Sequence, residues 1–224
     1  MAAVRENILT DTVARDKFLE GVVSLDNTSS GFTAQDAFEF LSRAVPNLQM
    51  AGINQELSIY DLFVLWHVVA MSIPLPPGNA AHSGPIFLPW HRMYLIRLEE
   101  QIQAVLEDDT FGLPYWDWAA DGELPVGQQW RADLWSRDYL GESHNNVQSG
   151  LLGQMRVRLW QSPDTGVLHS VQPRLISRRA GLDNRFRALP QRDHVTSSLN
   201  EPDYDRAPWS RNSALRGHRN HLEG

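Results

Sequence analysis

Residues from about 56 to 71 are apolar nearly all round, and one histidine, His67, interrupts the run. A helix without a polar stripe has to be covered on every side, so the chain must build its fold around this segment. Pro74, Pro76 and Pro77 then enforce an extended loop. A second strong helix begins near Pro89 and runs to about residue 107. Tyr94, Leu95, Leu98, Ile102 and Val105 share one face of it with His91, while Arg97, Glu100, Gln101 and Glu107 fall mostly away. His82 lies in the loop between the two helices, nine residues before His91.

The flanking sequence is easier to satisfy. Asp11 or Thr10 can cap a helix carrying Phe18, Leu19, Val22 and Leu25. Thr33 and Asp36 form a capping pair for a helix through Phe38, Leu41 and Val45, which Pro46 closes. Beyond Asp109 the periodicity weakens, and Trp116, Trp118, Trp130, Trp135 and Trp160 punctuate loop-rich sequence. Short strands are expected around 167–171 and a helix around 192–199. With no internal repeat, low-complexity tract or linker, residues 1–224 read as a single, mainly α domain with a loop-rich periphery and few short strands.

Composition narrows the chemistry. A hydrophobic fraction of 42% with 21% charged residues suits a soluble globular chain, and the longest apolar stretch, 62–71, is far too short to span a bilayer. The N-terminal "MAAVRENILTD" lacks the apolar core of a secretory signal, which leaves cytoplasm and export without a visible signal both open. A net charge of −7, with arginines spread out and Lys17 the only lysine, argues against nucleic acid. There is no cysteine, so disulfides, thiolate metal sites and cysteine nucleophiles are excluded. Any soft-metal chemistry has to run through histidine or methionine.

Two antiparallel helices bring His67 and His91 together, and the loop adds His82 from the side. Three neutral imidazoles without carboxylate or thiolate suit copper, zinc or iron. Such ligands need acceptors for their other ring nitrogens, and Asp117 in "PYWDW" is a candidate. Spacing alone leaves the blander reading open, in which His67 is a hydrogen-bonded core residue and the aromatic clusters are packing.

The words around the histidines narrow this choice. His82 and His91 in H(x8)H with "FLPWHR", followed by "LPYWDW", closely resemble the first copper half of the type 3 copper proteins: tyrosinases, catechol oxidases and hemocyanins. "ADLWSRDYLG" at 132–141 and the terminal "RNHLEG" at 219–224 are similar to bacterial tyrosinases in particular. The resemblance covers roughly 62–224 and implies that His67, His82 and His91 ligate the first copper. It also implies that Glu223 helps hold a water that takes the proton from an incoming phenol. A phenol with a pKa of about 10 needs such a base before it binds as phenolate. The residue before "RNHLEG" is often phenylalanine in bacterial relatives and is His218 here. His218 and His221 read as structural or surface residues, and His144, His169 and His194 as non-ligands.

Type 3 chemistry uses two coppers, each held by three histidines, and the second set normally begins with an HxxxH helix. None occurs in these 224 residues. The resemblance therefore implies a complementary C-terminal polypeptide carrying the second copper site. Together the two chains would make one tyrosinase-like four-helix bundle around a binuclear copper centre; a non-functional fragment is the alternative. The implied activity is ortho-hydroxylation of monophenols and oxidation of o-diphenols to o-quinones with dioxygen. An o-aminophenol or catechol oxidase is a variant on the same site. An oxygen carrier or a mononuclear copper-binding protein without oxidase activity belongs to another class. A small copper-delivery protein is a further partner implied by the resemblance.

Overall fold

Asp11 accepts the Ala14 amide at 2.7 Å and opens the first helix, α1 (Thr12–Asn27), as its side chain predicts. The computed structural model describes residues 4–43, 45, 47–75, 78–161, 167–182, 187–207 and 217–223, with the backbone alone at 161, 220, 221 and 223. Strand β1 (Ser29–Thr33) leads into α2 (Ala34–Ser42), which starts on the expected Thr33–Asp36 capping box. The helix ends three residues short of Val45, whose amide still reaches the Leu41 carbonyl at 2.8 Å as a final turn. Pro46 lies outside the described residues. Next come β2 (Met50–Gly52) and β3 (Glu56–Ser58).

The apolar helix expected from residue 56 starts later. Residues 56–58 pair antiparallel with β1, and α3 (Ile59–Ser72) follows. Ser58 both ends the strand and caps the helix with Asp61. The hairpin of β4 (Pro74–Leu75) and β5 (Gly78–Asn79) then turns the chain toward α4 (Phe87–Leu106). Two short helices, α5 (Trp118–Gly122) and α6 (Val126–Gln129), precede β6 (His144–Asn146), β7 (Val157–Gln161), β8 (Leu168–Arg174) and β9 (Ser177–Arg179). Helices α7 (Arg192–Leu199) and α8 (His218–Glu223) complete a mainly helical chain with short strands. The helix expected at 192–199 is α7. β2 runs parallel to β8, which also pairs β7, and β6 pairs antiparallel with β9.

These elements form two compact units, interleaved in sequence. One comprises Met1–Thr28, Arg97–Val157 and Pro173–Val195. In it Gly21 lets α1 meet α4, because a Cβ there would lie 2.5 Å from the Ile102 side chain. Lys17 pairs with Asp108 at 2.6 Å, holding the Asp108 carboxyl at a pKa of about 2.

The other unit comprises Ser29–Ile96, Arg158–Gln172 and Thr196–Gly224. Its core joins Ala34, Ala37 and Leu41 of α2 to Leu57, Leu65, Leu159 and Leu168, with Leu62, Val68 and Val69 of α3 packed against them. Asp61 is fully buried and takes bonds from the Ser58 amide (2.9 Å), the Ser58 hydroxyl (2.8 Å) and the Arg158 amide and guanidinium (3.2 Å each). That set ties the start of α3 to β7. The helix is not buried on every side, however: Trp66 and Met71 are 38% and 45% exposed.

Replacing Asp61 removes half of the capping box at α3 and a buried partner of Arg158. Asp61→Ala is expected to cost about 3 kcal/mol of stability, read from the urea midpoint. A loss below about 1 kcal/mol would show that the carboxylate does not anchor α3.

Candidate metal centre

α3, the loop after β5 and α4 each supply one histidine, and all three lie in the second unit. One nitrogen of each ring lies within 4.8 Å of the others. The Nε2 atoms of His67 and His82 are 3.3 Å apart. Two nitrogens at that separation, each about 2.05 Å from one ion, subtend roughly 107°, close to the tetrahedral angle. The donor set is all imidazole, which suits copper, zinc or iron.

His91 lies two residues further into its helix than expected, because α4 begins at Phe87. The earlier start has a chemical use. The Phe87 carbonyl, one turn back, accepts from His91 Nδ1 at 2.7 Å, which leaves Nε2 for a metal. His82 is held by its loop. Asn79 Oδ1 accepts the amides of Ala81 (3.0 Å) and His82 (2.8 Å), and the Asn79 amide returns a bond to the His82 carbonyl at 3.0 Å. Ala80 donates back to Ala70 and Ile73 at the end of α3. Gly78 is required here, since a Cβ would come 2.2 Å from the His82 carbonyl oxygen.

Aromatic rings wall the site. Phe87 lies against His91 and His82, Trp90 against His91 and His67, and Tyr94 stacks on Trp90 at 5.2 Å between ring centres. Tyr94 donates its hydroxyl to the Phe63 carbonyl at 3.0 Å, and burial pushes its pKa up to about 12. The three histidines are half-buried. Burial, then the fields of His82 and His91, lowers the His67 pKa below its ordinary 6.5 and favours the neutral form a metal needs.

Asp117 does not take the orienting role expected of it. It caps α5 through the Ala120 amide and pairs with Arg192 at 3.6 Å. For His91 the acceptor is a backbone carbonyl, which side-chain identity cannot announce. The grip of Asn79 on His82 likewise carries no signal in the sequence. The Glu223 backbone belongs to α8, while its side chain, like that of His221, lies outside the described residues.

The remaining histidines are engaged elsewhere. His218 Nδ1 sits 3.0 Å from the Ser198 hydroxyl, and His144 Nδ1 sits 2.8 Å from that of Ser143. His169 stacks on Trp160, and His194 accepts the Gln191 amide at 3.0 Å. No described helix is long and apolar enough to cross a membrane.

Residues 57–221 match the family described as the common central domain of tyrosinase. The chain is 38% identical over 176 residues to a tyrosinase of Streptomyces lincolnensis, covering 78% of this chain and 59% of that protein. It is likewise 38% identical over 167 residues to a tyrosinase of Streptomyces glaucescens, covering 74% and 56%. A tyrosinase of Gallus gallus is 32% identical over 149 residues, 62% of this chain and 26% of that protein. The chain thus spans little more than half the length of the curated bacterial relatives it matches.

The lowered His67 pKa has a sign that can be checked without metal. As pH falls below 6.5 the unfolded chain takes up the proton first. Stability of the metal-free chain is therefore full above 6.5 and declines below it, until folded His67 also protonates. Imidazole NMR should place the His67 midpoint under 6.5, and a midpoint above that value would contradict the packing described.

Proposed function

The chain belongs to the tyrosinase family, and on that membership we propose that His67, His82 and His91 hold one copper of a phenol-oxidising centre. The observation that carries this reading is the convergence of three imidazole nitrogens within 4.8 Å. Copper, when bound, supplies the one-electron redox change through which dioxygen and phenols react. The chain's own residues prepare that site. His91 presents Nε2 because Phe87 occupies Nδ1, and burial keeps His67 neutral. Phe87 and Trp90 cover part of the ligand rings.

The proposed reaction is ortho-hydroxylation of monophenols and oxidation of o-diphenols to o-quinones. Glu223 is assigned the proton-accepting role, through a water, that turns phenol into phenolate. Oxidation of o-aminophenols uses the same ligands and differs only in substrate.

The second copper is assigned to a complementary polypeptide carrying an HxxxH helix, a pattern missing from these 224 residues. Support comes from Trp66 and Met71 of α3 and Met93 and Leu95 of α4, apolar side chains left exposed on the two helices that carry ligands. A copper-delivery protein would be a further partner.

The test pairs copper analysis with turnover. The chain, with whatever polypeptide co-purifies, should bind copper and oxidise tyrosine, catechol or o-aminophenol. His91→Ala should lose the copper held by this chain and reduce turnover at least about a thousandfold, with helical content intact because alanine favours helix. Unchanged copper content would remove His91 from the ligand set. One copper per chain without any turnover would favour a mononuclear binding protein instead.

A further inference from the structure

Two of the three histidines ride on helices, whereas His82 is carried by a loop, so its position depends on how that loop is held at both ends. Asn79 holds the upstream side. On the downstream side the Pro85 carbonyl accepts the Tyr204 hydroxyl at 2.7 Å, midway between His82 and the start of α4. Tyr204 is 40% exposed, so its ring is not a core residue that happens to carry a hydroxyl.

The segment from which Tyr204 reaches is fixed. The Asp203 carbonyl accepts the His218 amide and the Tyr204 carbonyl accepts the Arg219 amide, both at 2.9 Å, which stitches 203–204 to the first turn of α8. Gly217 lets them approach, since a Cβ there would lie 2.8 Å from the Asp203 carbonyl oxygen. Arg219 is fully buried and grips Asp205 with a two-point fork, Nε to Oδ2 at 2.7 Å and Nη2 to Oδ1 at 3.0 Å. A planar fork sets orientation as well as distance. Sliding it apart would strand a buried charge, so the segment cannot drift. Within the segment, Arg206 also bonds Asp203 at 2.6 Å.

We propose that Tyr204, anchored by the Asp205–Arg219 pair, is a positioning residue that holds the His82 arm of the metal site. This rests on the reading of His67, His82 and His91 as one metal site. The rigid 203–205 segment acts as a strap: it grips α8 with its backbone and Asp205, and the metal loop with the Tyr204 hydroxyl. Because the other two ligands sit on helices, loosening the strap acts on His82.

The experiment measures Cu(I) affinity of the full 224-residue chain by competition with a chromophoric Cu(I) chelator. The variants are Tyr204→Phe, His82→Ala, the double variant and His67→Ala. Loss of one hydrogen bond should weaken Cu(I) binding about fivefold in Tyr204→Phe, with the urea midpoint of the metal-free chain falling by no more than the loss of one such bond explains. In the His82→Ala background the same change should weaken it no further, which a general loosening of the fold would not reproduce. Wild-type affinity in Tyr204→Phe, or an equal loss with and without His82, overturns the proposal. If His67→Ala and His82→Ala themselves bind Cu(I) like the wild type, the three-histidine reading falls instead, and the strap falls with it.

Discussion

The position of His67 depends on a carboxylate that never meets it. Asp61 is buried without solvent, and it is tolerable there because the Ser58 amide and hydroxyl and the Arg158 backbone and guanidinium share its charge. Those bonds fix where α3 begins. The packing of Leu65 with Leu41, Leu57, Leu159 and Leu168 fixes how it is turned. Two residues along a helix rotate a side chain by about 200°. With Leu65 in the core, His67 must therefore face the other way, toward His82 and His91.

The same economy governs the imidazoles. A metal ligand has to be deprotonated, and burial among other imidazoles achieves that for His67 without a nearby carboxylate. Orientation of His91 also uses no carboxylate, since the helix's own Phe87 carbonyl takes the ring proton. Among the described residues, neither the neutrality of His67 nor the orientation of His91 rests on a carboxylate. A +1 or +2 ion is held by donor geometry, which is why the loop bearing His82 needs restraint from Asn79 and from Tyr204.

What the sequence made legible was local. Asp11, the Thr33–Asp36 pair and the 192–199 segment each carry their helix signal in a few consecutive residues. The three histidines were legible because their neighbours form distinctive words. What stayed hidden involved partners far along the chain. Residues 56–58 look like the first turn of an apolar helix until β1 is there to pair with them. The Ser58–Asp61 capping box, also present in the sequence, marks where the helix begins. Asp117 looked like an orienting carboxylate because carboxylates are visible in a sequence and carbonyls are not. The buried Asp205–Arg219 fork spans two segments whose residues look like surface charge.

The exposed apolar side chains of α3 and α4 bear on how any covering surface would be held. Trp66, Met71, Met93 and Leu95 are each roughly two-fifths to one-half exposed. Burying the exposed part of such a side chain contributes on the order of 1 kcal/mol. Four of them together contribute about 4 kcal/mol, no more than the low end of the roughly 4–15 kcal/mol that association costs. Met93 and Leu95 also lie two residues apart on α4 and so point about 200° apart, so the four do not make one continuous patch. The complementary chain proposed above would have to draw its affinity from additional contacts, or be linked through the metal centre itself, and in the second case assembly and metal loading would become one equilibrium.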